Sequence, residues 1–518
     1  VSGYLRRLAT TGAAYTAASI VSKLIAVALL PLYTRYLTKA DYGAAEVMFA
    51  AVVSASIVVR LGTIEALLRF YYKEGEDPDR VVATSFAAMF WVTTGAALLA
   101  LPFAGPISEA LLTESAPDLA RISIGGLWVL TMFEYLLTLF RLEERARAFF
   151  LTTIANVLVT IALTVVLVVG REEGARGLLL GSYASGAAFV IGLIFVHRRR
   201  LSLLVDRSLL RRLMRFGLPT MPAELSLYLL NFVDRIIIVH SAGSAAAGQA
   251  AAGLYSLAVK FAQGVNVLVR GFQLAWPPLA YSIRDDDEAR RAYAVIVTWF
   301  VAGCAFVVTG LWLLSRWIVR ALAAPEFFGS YKAIGLVATG VTLYALYMVL
   351  VVILGRTGRT EFNFPATLAA LAANIVLNLL LVPPLGIVGA GLALVASYLV
   401  VLALMYGFTQ RLFPVPYQWG RLARLVLVSS GLVGLGELLL PTAGAAGLIG
   451  RTVLWLLYPF VLLAVGFFSK GEREGLAQLR HPRQVLTVQL ERWREASAAE
   501  GSIPETYEAE LIDDDARF

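Results

Sequence analysis

The sequence predicts an all-α integral membrane protein of fourteen transmembrane helices, two six-helix bundles related by a parallel repeat plus two additional C-terminal helices. Three observations carry this expectation. Of 518 residues, 59% are apolar and 15% charged, where a soluble domain carries roughly 25% charged residues. Mean hydropathy is +0.74, so a water-facing surface cannot be built from this composition. Apolar stretches long enough to cross a bilayer also recur along the whole chain. A soluble enzyme, a disulfide scaffold and a disordered hub are excluded.

In chain order, the first six stretches centre within 11–34, 44–68, 81–104, 119–140, 148–170 and 175–196. Six more follow at 213–240, 250–276, 293–315, 331–354, 362–382 and 386–409, then two at 421–440 and 447–468. The first follows Arg6-Arg7 in the manner of a signal peptide. Its run outlasts a signal's apolar region and no cleavage site follows, so it is expected to remain as a span. The second, seventh and eighth stretches carry charges, which makes their limits the hardest to place.

With the N-terminus inside, the cytoplasmic segments hold 27 Lys and Arg and the opposite side nine. This asymmetry orients a multi-pass protein of the inner (cytoplasmic) membrane with both termini in the cytoplasm. The net charge of +8 therefore does topological work, and no nucleic acid is expected as a partner. No loop on the opposite side exceeds about fifteen residues, too few for a catalytic domain. The tail after Lys470 is the only extended soluble segment. Gln478–Trp493 has the pattern of an interfacial amphipathic helix and Glu505–Asp515 is acidic, although a solvated appendage is the simpler reading.

Comparing the chain with itself reveals the repeat. Arg7–Gly12 aligns with Arg212–Gly217 at an offset of 205, and Ile154–Leu158 with Ala372–Val376 at 218. Gly174-Ala175 and Ser182-Tyr183 align with Gly389-Ala390 and Ser397-Tyr398, both at 215. Six spans separate equivalents, so the halves share one orientation, a transporter architecture with the substrate path between bundles. The expected divisions are 1–200 and 201–412 for the bundles, 413–470 for the extra helices and 471–518 for the tail.

A charge at the bilayer centre costs about 2.5–3.5 kcal/mol on insertion scales and so needs a reason. Lys23, Glu46, Arg60, Glu65, Glu224, Asp234, Arg235, Lys260 and Arg270 fall in spans one, two, seven and eight, the first hairpins of the two halves. Glu134 stands apart. At 100° per residue, Glu224, Tyr228, Asn231 and Arg235 form one stripe, and Lys260, Gln263, Asn266 and Arg270 another. Thr16, Ser19 and Lys23 share a face of span one, as Glu46 and Arg60 do in span two. Such stripes are expected to face an aqueous cavity between the halves, where the basic residues receive an anionic head group. The competing reading is structural, with Glu–Arg pairs pinning helices and long cations snorkelling from span ends, above all Arg235 and Arg270. Glu46, Glu65, Glu224 and Asp234 are candidates either to balance these cations or to carry a coupling ion.

Other features carry little. Cys304 lies in an apolar run as a small buried hydrophobe. His197, His240 and His481 have no partners at ligand spacing, so neither a metal nor another cofactor is expected. The glycine runs Gly386–Gly391 and Gly431–Gly436 lack the order of nucleotide loops and suit close helix packing.

Asn374-Ile375-Val376-Leu377-Asn378, then Pro383–Gly391 and Ser397-Tyr398, resembles the eleventh-to-twelfth-span signature of bacterial polysaccharide flippases. Pro31-Leu32-Tyr33, Tyr36-Leu37-Thr38 and Asp41-Tyr42-Gly43 are similar to that family's first span junction. Arg215–Pro219 and Gly253-Leu254-Tyr255 fit the openings of spans seven and eight. The resemblance, over roughly residues 5–470, is to the multidrug/oligosaccharidyl-lipid/polysaccharide (MOP) exporter superfamily. It implies flipping of an isoprenoid-pyrophosphate-linked oligosaccharide to the outer leaflet by alternating access. The same resemblance makes Arg60 and Lys260, with Lys23 next, the nearest counterparts of pyrophosphate-engaging residues. Arg270, Arg235, Asn231 and Gln263 complete the expected cavity, and polysaccharide polymerase machinery is the implied partner. Fourteen spans also resemble the lipid II flippase branch, so lipid II stays open as cargo, as does a cation or drug antiporter. A membrane enzyme would need an acidic cluster, and Asp285-Asp286-Asp287 reads better as a solvated charge run.

Overall fold

The structure, a computed structural model, describes residues 28–73, 75–469 and 472. Most of the first span, with Thr16, Ser19 and Lys23, lies outside the described residues, as do nearly all of the tail and its expected amphipathic helix.

Among the described residues the chain is helical throughout, without strands. The first half contains α1 (Leu30–Tyr36), α2 (Lys39–Arg60), α3 (Thr63–Tyr71), α4 (Pro78–Ala100) and α5 (Ala104–Leu112). It continues with α6 (Pro117–Leu142), α7 (Ala146–Val165) and α8 (Gly174–His197). The second half begins with α9 (Arg207–Gly217), α10 (Met221–Leu230), α11 (Val233–His240), α12 (Ala245–Ala262) and α13 (Val265–Ser282). Then come α14 (Asp286–Leu322), α15 (Tyr331–Arg356), α16 (Asn363–Leu385) and α17 (Ile387–Leu412). The last are α18 (Trp419–Leu439), α19 (Gly444–Leu456) and α20 (Tyr458–Ala464). Two compact units divide the chain at Leu456 and Leu457. The first holds α1–α19; of the second, α20 is the described helix.

Among the described residues, ten helical segments are long and apolar enough to span a membrane, or eleven if α19 and α20 form one span. They match the expected spans two to six and nine to thirteen. Spans seven and eight depart from the expectation of single helices. Pro219 and Pro222 interrupt the first turns of span seven, and the chain breaks again at Asn231-Phe232 between α10 and α11. Span eight breaks at Gln263-Gly264, between α12 and α13. Span two stops at Arg60, because Leu61 and Gly62 are both left-handed (φ 50° and 68°) before α3 starts.

Polar side chains set the helix starts at the connections. Thr38 accepts the Asp41 amide to cap α2, and Asp206 accepts those of Ser208 and Leu209 to cap α9. Asp285 caps α14 through Glu288, which gives the Asp285–Asp287 run a structural use. The Pro-Pro-Leu-Gly motif ends α16: Gly386 takes φ +57°, and a Cβ on Gly389 would lie 2.1 Å from the Leu381 carbonyl oxygen. The turn into α17 therefore needs glycine at both places.

Within the first half α2 and α8 pack on α6; within the second α16 and α15 pack on α17. The halves meet where α12 lies along α2 and where α9 lies on α3 and α4. A large core surrounds the first seam, with Tyr42, Met48, Tyr255 and Phe261 buried. A second core, including Leu67, Phe70, Leu139, Leu209 and Leu213, fills the space under α9. Outward-facing Leu98, Leu99, Phe195, Leu438 and Leu439 are exposed, as expected of side chains that meet lipid.

Candidate functional site

The breaks at Asn231 and Gly264 surround a cavity of about 450 Å³ at the junction of the two halves. Irregular backbone at membrane depth is tolerated where it lines such a cavity. From the first half, α2 contributes Glu46, Phe49, Ala50 and Val53. The second half supplies Tyr228, Asn231, Asp234, Arg235, Tyr255, Gln263, Asn266, Arg270, Tyr344 and Tyr398 among others.

Each charge in or beside this cavity has a definable role. Arg235 is buried at 8% exposure, so it does not snorkel. Its guanidinium donates to the Asn231 carbonyl at 2.6 Å and to Ser256 Oγ at 3.1 Å, and lies 3.6 Å from Asp234 Oδ1. It thus satisfies the carbonyl freed by the helix break and balances a buried carboxylate. The Asn231 amide donates to Tyr398 Oη at 2.8 Å and fixes the break against α17. Lys260 Nζ meets Glu46 Oε1 at 2.5 Å and lies 5.0 Å from the Tyr42 ring centroid, a cross-half ion pair at the cavity edge. Arg270 is exposed into the cavity and donates to the Gln273 side chain at 3.3 Å. No carboxylate pairs with it among the described residues.

The cavity therefore has two carboxylates and, counting Lys260, three cations, and the uncompensated charge is Arg270. The two stripes read as continuous helical faces are each split by a break, yet Asn231, Arg235, Gln263, Asn266 and Arg270 still converge. Arg60 does not line the cavity. It lies at the end of α2, where Nη1 meets Glu134 at 2.8 Å and Nη2 meets Glu224 at 3.1 Å. That triad joins α2 and α6 of the first half to α10 of the second. Glu65 acts electrostatically on both glutamates and is not a cavity residue.

Two seams join the halves on either side of the cavity. On the side of the arginine-rich connections, Gly62 and Gly217 touch backbone to backbone, and a Cβ on Gly62 would lie 2.0 Å from the Gly217 oxygen. The Arg60–Glu224 pair, Arg80–Asp206 and Arg212–Glu76 reinforce this seam. On the opposite side a Cβ on Gly43 would lie 1.8 Å from the Gln249 oxygen and 2.7 Å from the Gly253 nitrogen. Lys260–Glu46 and the bond from Gln249 to the Leu112 carbonyl at 3.2 Å support that seam. The cavity thus lies between two glycine contacts.

Reasoning from sequence placed Tyr228 in the lining but missed Tyr255, Tyr344 and Tyr398, and it missed the partners of Arg60. Tyr398 lay within a repeat motif, which was an available signal, whereas the pairing of Glu134 with Arg60 had none. Among the described residues no three of His, Cys, Asp and Glu come together as metal ligands.

The profile of a family described as polysaccharide biosynthesis protein matches residues 8–283, just over half of the chain. The chain belongs to the polysaccharide biosynthesis protein family. Among solved structures, the lipid II flippase MurJ in an inward closed conformation is similar with TM-score 0.69 and 13% identity, over 88% of this chain and 98% of that one. An inward-facing multidrug resistance MATE family transporter of the MOP superfamily gives TM-score 0.57 and 15% identity, over 77% of this chain and 95% of that one. An outward-facing MATE transporter gives 0.55 and 16%, over 78% and 94%. No curated protein matches. At these identities the likeness is one of fold, and the fold is the one shared by these flippase and transporter structures, as the Asn374–Gly391 and Pro31–Gly43 motifs led us to expect.

Proposed function

We propose that this family member is a flippase that moves an isoprenoid-pyrophosphate-linked oligosaccharide from the cytoplasmic to the outer leaflet of the inner membrane. The observation that carries the reading is Arg270, a lone uncompensated guanidinium in the cavity between the halves. A pyrophosphate crossing a low-dielectric slab needs such a partner, and guanidinium presents donors in a fork that matches it. The amides of Asn231, Gln263 and Asn266 and the phenols of Tyr228, Tyr344 and Tyr398 suit sugar hydroxyls. The volume of about 450 Å³ falls in the usual range for small-molecule sites, and the isoprenoid chain stays in lipid.

Alternating access then means parting one glycine seam at a time. The Gly62–Gly217 seam opens toward the cytoplasm, and the Gly43–Gly253 seam opens outward. Glu224 and Glu46 each hold a cation of the other half, so a proton on either weakens one seam, which makes them the favoured coupling residues. Asp234 is engaged by Arg235 and serves structure. Lys260 and Arg60 act as links between halves, with Arg270 as the primary anion contact. Polymerase machinery is the proposed consumer of the flipped lipid.

Lipid II is the second reading, favoured by the extent of the MurJ likeness. A cation antiporter is disfavoured by the excess positive charge. Ligand binding raises the melting temperature of the purified protein. A short-chain isoprenyl pyrophosphate oligosaccharide is expected to stabilise wild type and to leave Arg270→Gln unaffected. Equal stabilisation of both proteins, or stabilisation by cationic dyes alone, would refute the assignment.

A further inference from the structure

A second recess lies away from the cavity, on the side opposite the arginine-rich connections. It has a volume of about 500 Å³ and is lined by Arg35, Val319, Arg320, Ala323, Ala324 and Phe328 among others. Arg35 is in the last turn of α1 and Arg320 in the last turn of α14. The walls are pinned: the Ala324 N–H donates to Thr34 Oγ1 at 3.0 Å, and the Ala323 N–H to the Val319 carbonyl at 2.8 Å.

The basic residues on this side of the molecule fall into paired and unpaired ones. Arg121 pairs with Asp118, Arg171 with Glu173, and Arg316 and Arg451 both with Glu437. Arg35 and Arg320 are exposed and, like Lys39, Arg176 and Lys332, have no carboxylate partner among the described residues, and of these five Arg35 and Arg320 line the recess. The Arg320 guanidinium lies 4.6 Å from the Phe328 ring centroid. Stacking holds one face of the guanidinium and leaves its N–H edge free. A last-turn position favours any cation through the helix dipole, which accounts for each arginine separately and not for their convergence on one recess. Glu326, the nearest carboxylate in sequence, does not line it.

We propose that this recess binds the phosphate group of a lipid head group, at a site separate from the central cavity. Two guanidinium groups supply charge-assisted donors to one phosphate. Val319, Ala323 and Phe328 give an apolar wall for the adjoining lipid stem, which a free ion would not use. The site is independent of what the cavity carries, so its failure would leave the transport reading untouched.

Native mass spectrometry of the full chain in detergent tests it, titrating phosphatidylglycerol, an isoprenyl pyrophosphate and inorganic phosphate separately. Wild type is expected to bind at least one of the lipids. Arg35→Gln with Arg320→Gln is expected to weaken that binding about tenfold or more, the scale of one charge-assisted hydrogen bond. Arg121→Gln, on the same side, is expected to bind as wild type. Ala323→Leu fills the recess while leaving both charges, and it too is expected to weaken lipid binding. Unchanged binding in the arginine pair or in Ala323→Leu would overturn the proposal. Inorganic phosphate bound as tightly as the lipids would overturn the lipid assignment.

Discussion

Replacing Gly43 by alanine should part the two halves on the side opposite the arginine-rich connections. The added Cβ would lie 1.8 Å from the Gln249 carbonyl oxygen, whereas carbon–oxygen contacts settle at about 3.3–3.6 Å. The helices α2 and α12 must therefore separate there by roughly 1.5 Å. Overpacking costs about 1–3 kcal/mol, and here backbone rather than a yielding side chain is struck, so the upper end applies. About 3 kcal/mol against the closed seam shifts the closed–open equilibrium roughly a hundredfold. Gly217→Ala is the matching perturbation on the other seam. Its φ of −74° is ordinary, so alanine acts there by contact with the Gly62 oxygen at 2.3 Å and not by backbone strain. The assay uses a cavity thiol, Val53→Cys, in a Cys304→Ser background, labelled by an impermeant maleimide from one side at a time. Gly43→Ala should raise labelling from the side opposite the arginine-rich connections by about ten- to a hundredfold. Gly217→Ala should lower it there and raise it from the other side. The same change in both variants, or none with Gly43→Ala, would refute the two-seam account.

Three further outcomes follow from individual contacts. Lys260→Met should destabilise the protein by about 2–3 kcal/mol, below the 3–5 typical of a fully buried pair because Lys260 is 32% exposed. Adding Glu46→Met should restore much of that loss in a thermal melt. Arg451 is fully buried and donates to Glu437 at 2.6 Å and to the Pro441 carbonyl at 3.2 Å. Arg451→Met should cost about 3–5 kcal/mol, read as a lower melting temperature and as protease access to 440–444. Asp206 accepts the Ser208 hydroxyl, the Leu209 amide and the Arg80 guanidinium, which hold its carboxyl well below the usual range. A depressed folded pKa gives stability that is complete above the unfolded value, about 4, and is lost as pH falls through the folded one. The melting difference between wild type and Asp206→Asn should thus stay constant from about pH 7 to 4 and shrink only below. A difference already shrinking at about pH 6 would contradict this.

The fold was largely legible because lipid imposes length and hydropathy on each span, and α2, α4 joined with α5, α6 through α8 and α14 through α18 obey both. The breaks in spans seven and eight were not. A helical wheel assumes a continuous helix, and the charges taken as its polar face include Arg235, which is needed because the helix is broken. The Pro383–Gly391 motif was legible, since proline and glycine fix backbone geometry locally. Which carboxylate meets which cation depends on tertiary approach. Hence Lys260–Glu46 and Arg60 with Glu134 and Glu224 were seen as charges and not as pairs, and Arg270 was not distinguished from the rest. The glycine seams were equally hidden, since Gly43 and Gly62 resemble packing glycines until their partners are in place.

The most direct test of the central claim is transport itself. Purified protein in liposomes carrying an isoprenyl pyrophosphate oligosaccharide is challenged with an impermeant glycosidase that reads the lipid reaching the accessible leaflet. Wild type should accelerate exposure, and Arg270→Gln should reduce the acceleration by about tenfold or more, the loss of one charge-assisted contact. No acceleration with this lipid or with lipid II, together with proton-driven efflux of cationic dyes, would contradict the account.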